Sequence, residues 1–109
     1  DLEKACRFFH RMTNATICIT LGKQGTLLSL DSDQRATIPT IPVKAIDTTG
    51  SGDAFIGCLL VTLSKAPSTT VLKDKVWMSE AVSIANKAGA FTAQSYGAIA
   101  ALPRVKDIM

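Results

Sequence analysis

"DTTGSGDAF", Asp47 to Phe55, places two glycines and a serine between two aspartates, and an apolar run follows at once. A helix beginning here leaves several backbone N–H groups without intrahelical partners. The aligned peptide dipoles add a positive partial charge of roughly half a unit at that end. Gly50 and Gly52 carry no side chain, so an anion can approach those amides closely. The turn therefore suits a phosphate, or charge developing on one. Asp53 would then sit in the first turn, where a carboxylate can take a proton from an attacking hydroxyl. Such help is typically worth about 10²–10⁴ in rate, or roughly 3–5 kcal/mol of barrier. The alternative reading is a plain helix cap, because Asp and Ser cap well and glycine turns commonly precede helices. The turn is not a Walker A loop, since no lysine follows the glycines.

Upstream, "ATICITLG" (Ala15 to Gly22) is β-rich and apolar on both faces, which predicts a central parallel strand. It ends in a second glycine-bearing loop, "TLGKQG", Thr20 to Gly25. In open α/β sheets, ligands bind beyond the carboxyl ends of strands. Two such loops, each after a strand, favour a nucleotide site. Lys23 between the glycines reads as a solvated lysine, although it could reach a phosphate.

Leu2 to Met12 reads as the end of a helix. The stretch from Lys23 to Pro42 predicts two short strands around a polar turn at Asp31 to Gln34, with Pro39 and Pro42 marking an edge or connector. "VKAI", Val43 to Ile46, reads as another strand. Asp53 to Ser64 is apolar nearly all round, which predicts a buried helix. Trp77 to about Gln94 repeats apolar or small residues at Met78, Val82, Ala85, Gly89 and Thr92. That is helical spacing with a narrow face that allows close approach to a neighbour. "SYGAIAALP" reads as a loop, and Arg104 to Met109 as the start of a last helix. The order indicates α/β.

The whole chain sets bounds on this. One hundred and nine residues, 47% of them apolar, can build one modest core. A net charge of +3 without a basic block gives no case for nucleic acid. No run is long enough to predict a membrane span. Cys6, Cys18 and Cys58 form no CxxC pair and read as reduced thiols, Cys18 and Cys58 as buried ones, which fits a cytoplasmic setting. His10 is the only histidine, so no zinc cluster or Cys–His nucleophile is expected. The opening "DLEKACRFFH" has no initiator Met, as in a chain cut from something longer.

In order, "TLGKQG", "DTTGSGDAFIGCLL", "ANKAGA" and "GAIAALP" resemble the C-terminal portion of the ribokinase-like (PfkB) carbohydrate kinases over nearly the whole chain. "YGAIAALP" looks most like fructokinases. The resemblance implies a ribokinase-like, Rossmann-like three-layer α/β fold, with residues 1–109 as the C-terminal nucleotide-binding and catalytic part. It implies Asp53 as the base that deprotonates a sugar hydroxymethyl. Gly50, Ser51 and Gly52 would be the anion hole. Thr20, Gly22 and Gly25 would lie on the phosphate and nucleoside side of an ATP site, with Asn86 near the adenine. ATP and Mg²⁺ follow, and potassium is the monovalent cation many members bind. Asp47 and Thr49 match two cation positions, and Thr92, Ser95 and Gly97 match backbone positions in the later loop. A structural role for Asp47 in holding the turn stands beside that. Ala101 departs from the pattern, replacing a serine ligand. The sugar-binding portion, the lid strands through which members often dimerise, and the magnesium-linked acidic motif are not in this sequence. The 109 residues alone are expected to be inactive. Ribokinase, a kinase for a ketodeoxy sugar acid, and a non-catalytic nucleotide-binding module are the competing readings.

Overall fold

The computed structural model describes residues 1–42 and 50–93. Helix α1, Leu2–Met12, starts where the Asp1 carboxylate accepts the Lys4 amide at 2.8 Å. Glu3 lies in its first turn and His10 and Arg11 in its last, the order that complements the helix dipole. Three short strands follow: β1 (Ile17–Thr20), β2 (Thr26–Ser29) and β3 (Arg35–Ile38). They pair antiparallel in the order β1-β2-β3. The β2–β3 turn falls where the sequence placed it. Asp31 Oδ1 accepts the amides of Asp33 and Gln34 at 2.8 and 2.9 Å, which closes the turn with a side chain instead of a glycine.

The register sorts the sheet into two faces. Leu28 stands opposite Cys18 and Ala36, and Thr26 opposite Ile38, on the face that meets the later helices. Ser29 stands opposite Ile17 and Arg35 on the other face. There α1 docks. His10 Nε2 lies 2.8 Å from Ser29 Oγ, and Glu3 pairs with Arg35 at 2.8 Å. The described residues thus form three layers, α1, sheet, and the α2–α3 pair, as α/β reading required.

The parallel neighbour expected for the Ala15–Gly22 strand is not seen among the described residues. Among the described residues β1 pairs only with β2, antiparallel, and forms an edge. Its two apolar faces have another cause. Helices lie on both sides of this small sheet, so Cys18 turns to one helical layer while Ile17 and Ile19 turn to the other. Strand Val43 to Ile46 and the segments after Ala93 lie outside the described residues.

Helix α2, Ser51–Ser64, and helix α3, Lys75–Ala93, pack side by side. The Asp74 carboxylate caps α3 by accepting the Trp77 amide at 3.1 Å. A five-residue 3-10 turn, Thr69–Lys73, joins the two and buries Val71. The core comprises Leu28, Leu30, Phe55, Met78, Val82 and Ala85, with Cys18, Cys58 and Trp77 packed around it. Each fully buried large side chain there contributes about 1.5–3 kcal/mol. The α3 stripe behaves as its spacing predicted, with Met78, Val82, Ala85 and Thr92 all buried. The expectation for α2 does not hold. Ala54 and Phe55 are buried, but Ile56, Leu60 and Val61 are 56%, 60% and 52% exposed. The described chain meets α2 on one side only, and the rest of its apolar circumference faces away.

Candidate functional site

Two turns face each other across a cleft of about 760 Å³. The first follows β1. The Leu21 amide donates to the Gly25 carbonyl at 2.8 Å, the Gln24 amide to Leu21, and the Gly25 amide to Gly22 at 3.1 Å. Gly22 has φ 62° and Gly25 has φ 98°, both in the region L side chains avoid. A Cβ on Gly25 would also lie 2.1 Å from the Ile38 carbonyl oxygen. The loop therefore closes on itself and tucks under the end of β3.

The second turn opens α2. Gly50 is the N-cap residue with φ 82°, and its carbonyl accepts the Ala54 amide at 2.9 Å. No side chain caps this helix among the described residues, so its first-turn amides keep their capacity to hold an anion. Ser51 and Gly52 both line the cleft. A Cβ on Gly52 would meet nothing among the described residues within 4 Å. Ser51 Oγ is buried without a hydrogen-bond partner among the described residues. Asp53 is exposed in the same helical turn, next to the residues that line the cleft.

The floor is α3. Gly89 lets it approach α2 so closely that a Cβ there would stand 3.2 Å from the Ser51 carbonyl oxygen. One turn earlier Asn86 is 6% exposed and makes three side-chain hydrogen bonds. Its Oδ1 accepts from the Thr26 hydroxyl at 2.7 Å, and its Nδ2 donates to the Ile38 and Pro39 carbonyls at 3.0 and 3.3 Å.

The structure thus brings Thr20, Gly22, Gly25, Ser51, Gly52 and Asn86 into one cleft, with Gly50 and Asp53 in the adjoining turn. Lys23 is exposed and also lines it. Thr92 is buried in α3, and its hydroxyl donates to Ala88 O at 3.0 Å. Asp47, Thr49, Ser95, Gly97 and Ala101 lie outside the described residues. Thr26, Thr40, Ile41 and Pro42 line the cleft without having been read as site residues from sequence. Nothing in the sequence pairs Thr26 with a residue sixty positions away. Gly89 was legible only as part of a small-residue stripe. Away from the cleft, burial pushes the Cys18 thiol up. Burial raises the Cys58 thiol too, and a hydrogen bond with Thr62 works against that shift. No group of three or more metal-ligating side chains occurs among the described residues. No described helix is long and apolar enough to cross a membrane.

The pfkB family carbohydrate kinase model matches residues 1–105. Fructokinase-1 of Oryza sativa subsp. japonica is 39% identical over 99 residues, 91% of this chain and 30% of that protein. Ribokinase of Staphylococcus aureus strain COL is 37% identical over 108 residues, 99% of this chain and 33% of that protein. The chain spans about a third of the length of the curated relatives it matches. A double-mutant fructokinase from Vibrio cholerae O395, solved with fructose, ADP and a potassium ion, superposes with a TM-score of 0.87 at 30% identity. That match covers 99% of this chain and 34% of that one. The fold is the α/β architecture shared with these ribokinase-like structures.

Proposed function

The chain belongs to the pfkB family of carbohydrate kinases, and from that premise we propose that the protein carrying it is an ATP-dependent sugar kinase. It would transfer the γ-phosphate of ATP to a sugar hydroxymethyl, with fructose as the favoured acceptor and fructose 6-phosphate as product. One observation carries the reading: a glycine-opened helix start, uncapped among the described residues, and a self-closed glycine loop wall the same cleft, with an exposed carboxylate in that helix's first turn.

For the described residues this geometry supports the following proposed roles. The Gly22 and Gly25 loop and Thr20 would take the nucleotide's phosphate and nucleoside side, with Asn86 in the same wall. The amides of Ser51 and Gly52, behind Gly50, would face the transferring phosphoryl, where fixed donors stabilise charge as it develops. Asp53 would accept the proton as the hydroxymethyl oxygen attacks the γ-phosphorus and the bond to ADP breaks. Mg²⁺ would supply charge neutralisation on the phosphates. Asp47, Thr49, Thr92, Ser95 and Gly97 are proposed to frame a potassium site beside the anion hole. The 109 residues are proposed to need the remainder of a longer kinase for sugar binding. A cytoplasmic location and a homodimer of the full-length protein complete the proposal.

Asp53→Asn in the full-length protein should lower kcat about 10²–10⁴-fold while calorimetry still detects ATP. Near-normal turnover by that variant would sink the assignment. A kinase for ribose or a ketodeoxy sugar acid is the second reading, supported by ribokinase likeness nearly equal to that of the fructokinase. A panel of sugars ranked by kcat/KM separates these. A binding module without catalysis would keep ATP affinity and show no turnover with any sugar.

A further inference from the structure

Asn86 is a buried amide in the wall of the cleft, yet both its donor hydrogens and one of its acceptor lone pairs are committed to the protein. An amide offers two donor hydrogens and two acceptor lone pairs. The Nδ2 group faces two carbonyls, Ile38 at 3.0 Å and Pro39 at 3.3 Å, and Oδ1 accepts from Thr26 at 2.7 Å. Two facing carbonyls fix which end of the amide carries nitrogen. Its backbone carbonyl also accepts from the Thr40 hydroxyl at 3.2 Å. Residues 38–40 are thus fastened to α3 at a single position. From there Thr40, Ile41 and Pro42 run on as one side of the cleft. The Ile38 carbonyl is also the atom that closes over Gly25. One side chain therefore sets the spacing between α3, the end of β3 and the first glycine loop.

We infer that Asn86 is a positioning residue, which holds the Thr40–Pro42 wall and the Gly25 loop at nucleotide distance and does not read the base. This rests on the nucleotide reading of the cleft. Both amide hydrogens are held by protein carbonyls, which leaves a single Oδ1 lone pair to meet a base, whereas a displaced wall weakens every nucleotide alike.

The test uses the full-length protein with ATP and GTP. Asn86→Ala should raise KM for both nucleotides by the same factor, about tenfold, with a smaller loss in kcat. Asn86→Asp keeps the acceptor for Thr26 but turns a carboxylate oxygen onto two carbonyls. Its KM for ATP should fall toward the wild-type value as pH drops from about 8 to 6, because the protonated carboxyl can donate to Ile38. Lys23 is the one charged side chain lining the cleft among the described residues, and Lys87 follows Asn86 on the exposed side of α3. A recovery absent from wild type over that range reports the new carboxyl. A tenfold change in the ATP:GTP ratio, or an Asn86→Asp profile parallel to wild type, overturns the inference. If Asn86→Ala does not fold, Thr26→Val carries the test, with KM raised about threefold and the ratio unchanged; an unaltered KM counts against it. Failure of the nucleotide reading looks different, since wild type then binds neither nucleotide by calorimetry. The clasp is in that case judged from thermal unfolding of the Thr26→Val, Asn86→Ala and double variants, where additive effects overturn it.

Discussion

The two glycine turns that face each other across the cleft use glycine for opposite reasons. At Gly25 the missing side chain leaves room for protein, because the Ile38 carbonyl occupies the place a Cβ would take. At Gly52 nothing among the described residues comes near the place a Cβ would take. The first loop bonds to itself three times through its backbone. The second presents helix amides that no side chain caps among the described residues. One is architecture that happens to border a ligand site. The other is space kept open at a helix end, which makes sense when something from outside fills it. Glycine-rich segments that look alike in sequence thus separate once the neighbour of each absent Cβ is identified.

Substitutions can break that contrast. Gly25→Ala combines a backbone clash with a left-handed φ, and should cost about 3 kcal/mol or more, read as a lower denaturant midpoint of the full-length protein. Gly52→Ala should move the other way in stability. Alanine is the better helix former, so the variant should gain about 0.5–1 kcal/mol. At the same time phosphoryl transfer should drop about 10- to 100-fold, because the new methyl enters the space over the amides. If both alanines destabilised alike, the contrast would be wrong. Gly89→Ala falls between the two. Its Cβ would stand 3.2 Å from the Ser51 carbonyl oxygen, so the α2 turn must shift by a few tenths of an ångström. Stability should change by less than about 1 kcal/mol, while kcat falls about fivefold. The smallest effect belongs to the turn made without glycine. The amides of Asp33 and Gln34 and the nearby Lys73 hold the Asp31 carboxyl below its ordinary value of 3.8. A depressed folded value means its contribution is complete above the unfolded pKa and is lost as pH falls through the folded one. Asp31→Asn should therefore flatten the stability–pH curve slightly below about pH 4, and leave transfer kinetics alone.

The helical parts were legible because their periodicity is local. The stripe from Met78 to Thr92 is a property of α3 itself, and a turn such as Asp31 to Gln34 is closed by its own residues. What could not be read is what sits across space. Apolar residues on both faces of Ile17 to Thr20 promised burial, and that is all they could promise; strand direction depends on a partner that the pattern does not name. Ile56, Leu60 and Val61 likewise announce an apolar helix without saying what covers it. In the cleft, the glycines and Asp53 were visible as chemistry. The amide of Asn86 was visible only as a position, because its commitments to Thr26, Ile38 and Pro39 exist only after the chain has folded.

Asn86 and Gly89 lie three residues apart on one helix, about 4.5 Å along its axis. The first fastens the near wall of the cleft and the second seats the far one. The width of the cleft is thus gauged by a rigid helical pitch, and loop length has little say in it. Lengthening the Asp31 turn or the Lys65–Thr69 connection would leave that gauge untouched. A single residue inserted between Asn86 and Gly89 would swing Gly89 about 100° around the helix and put a side chain against Ser51. Tolerance to insertion in this chain should therefore be uneven, generous in the surface loops and nil across one turn of α3.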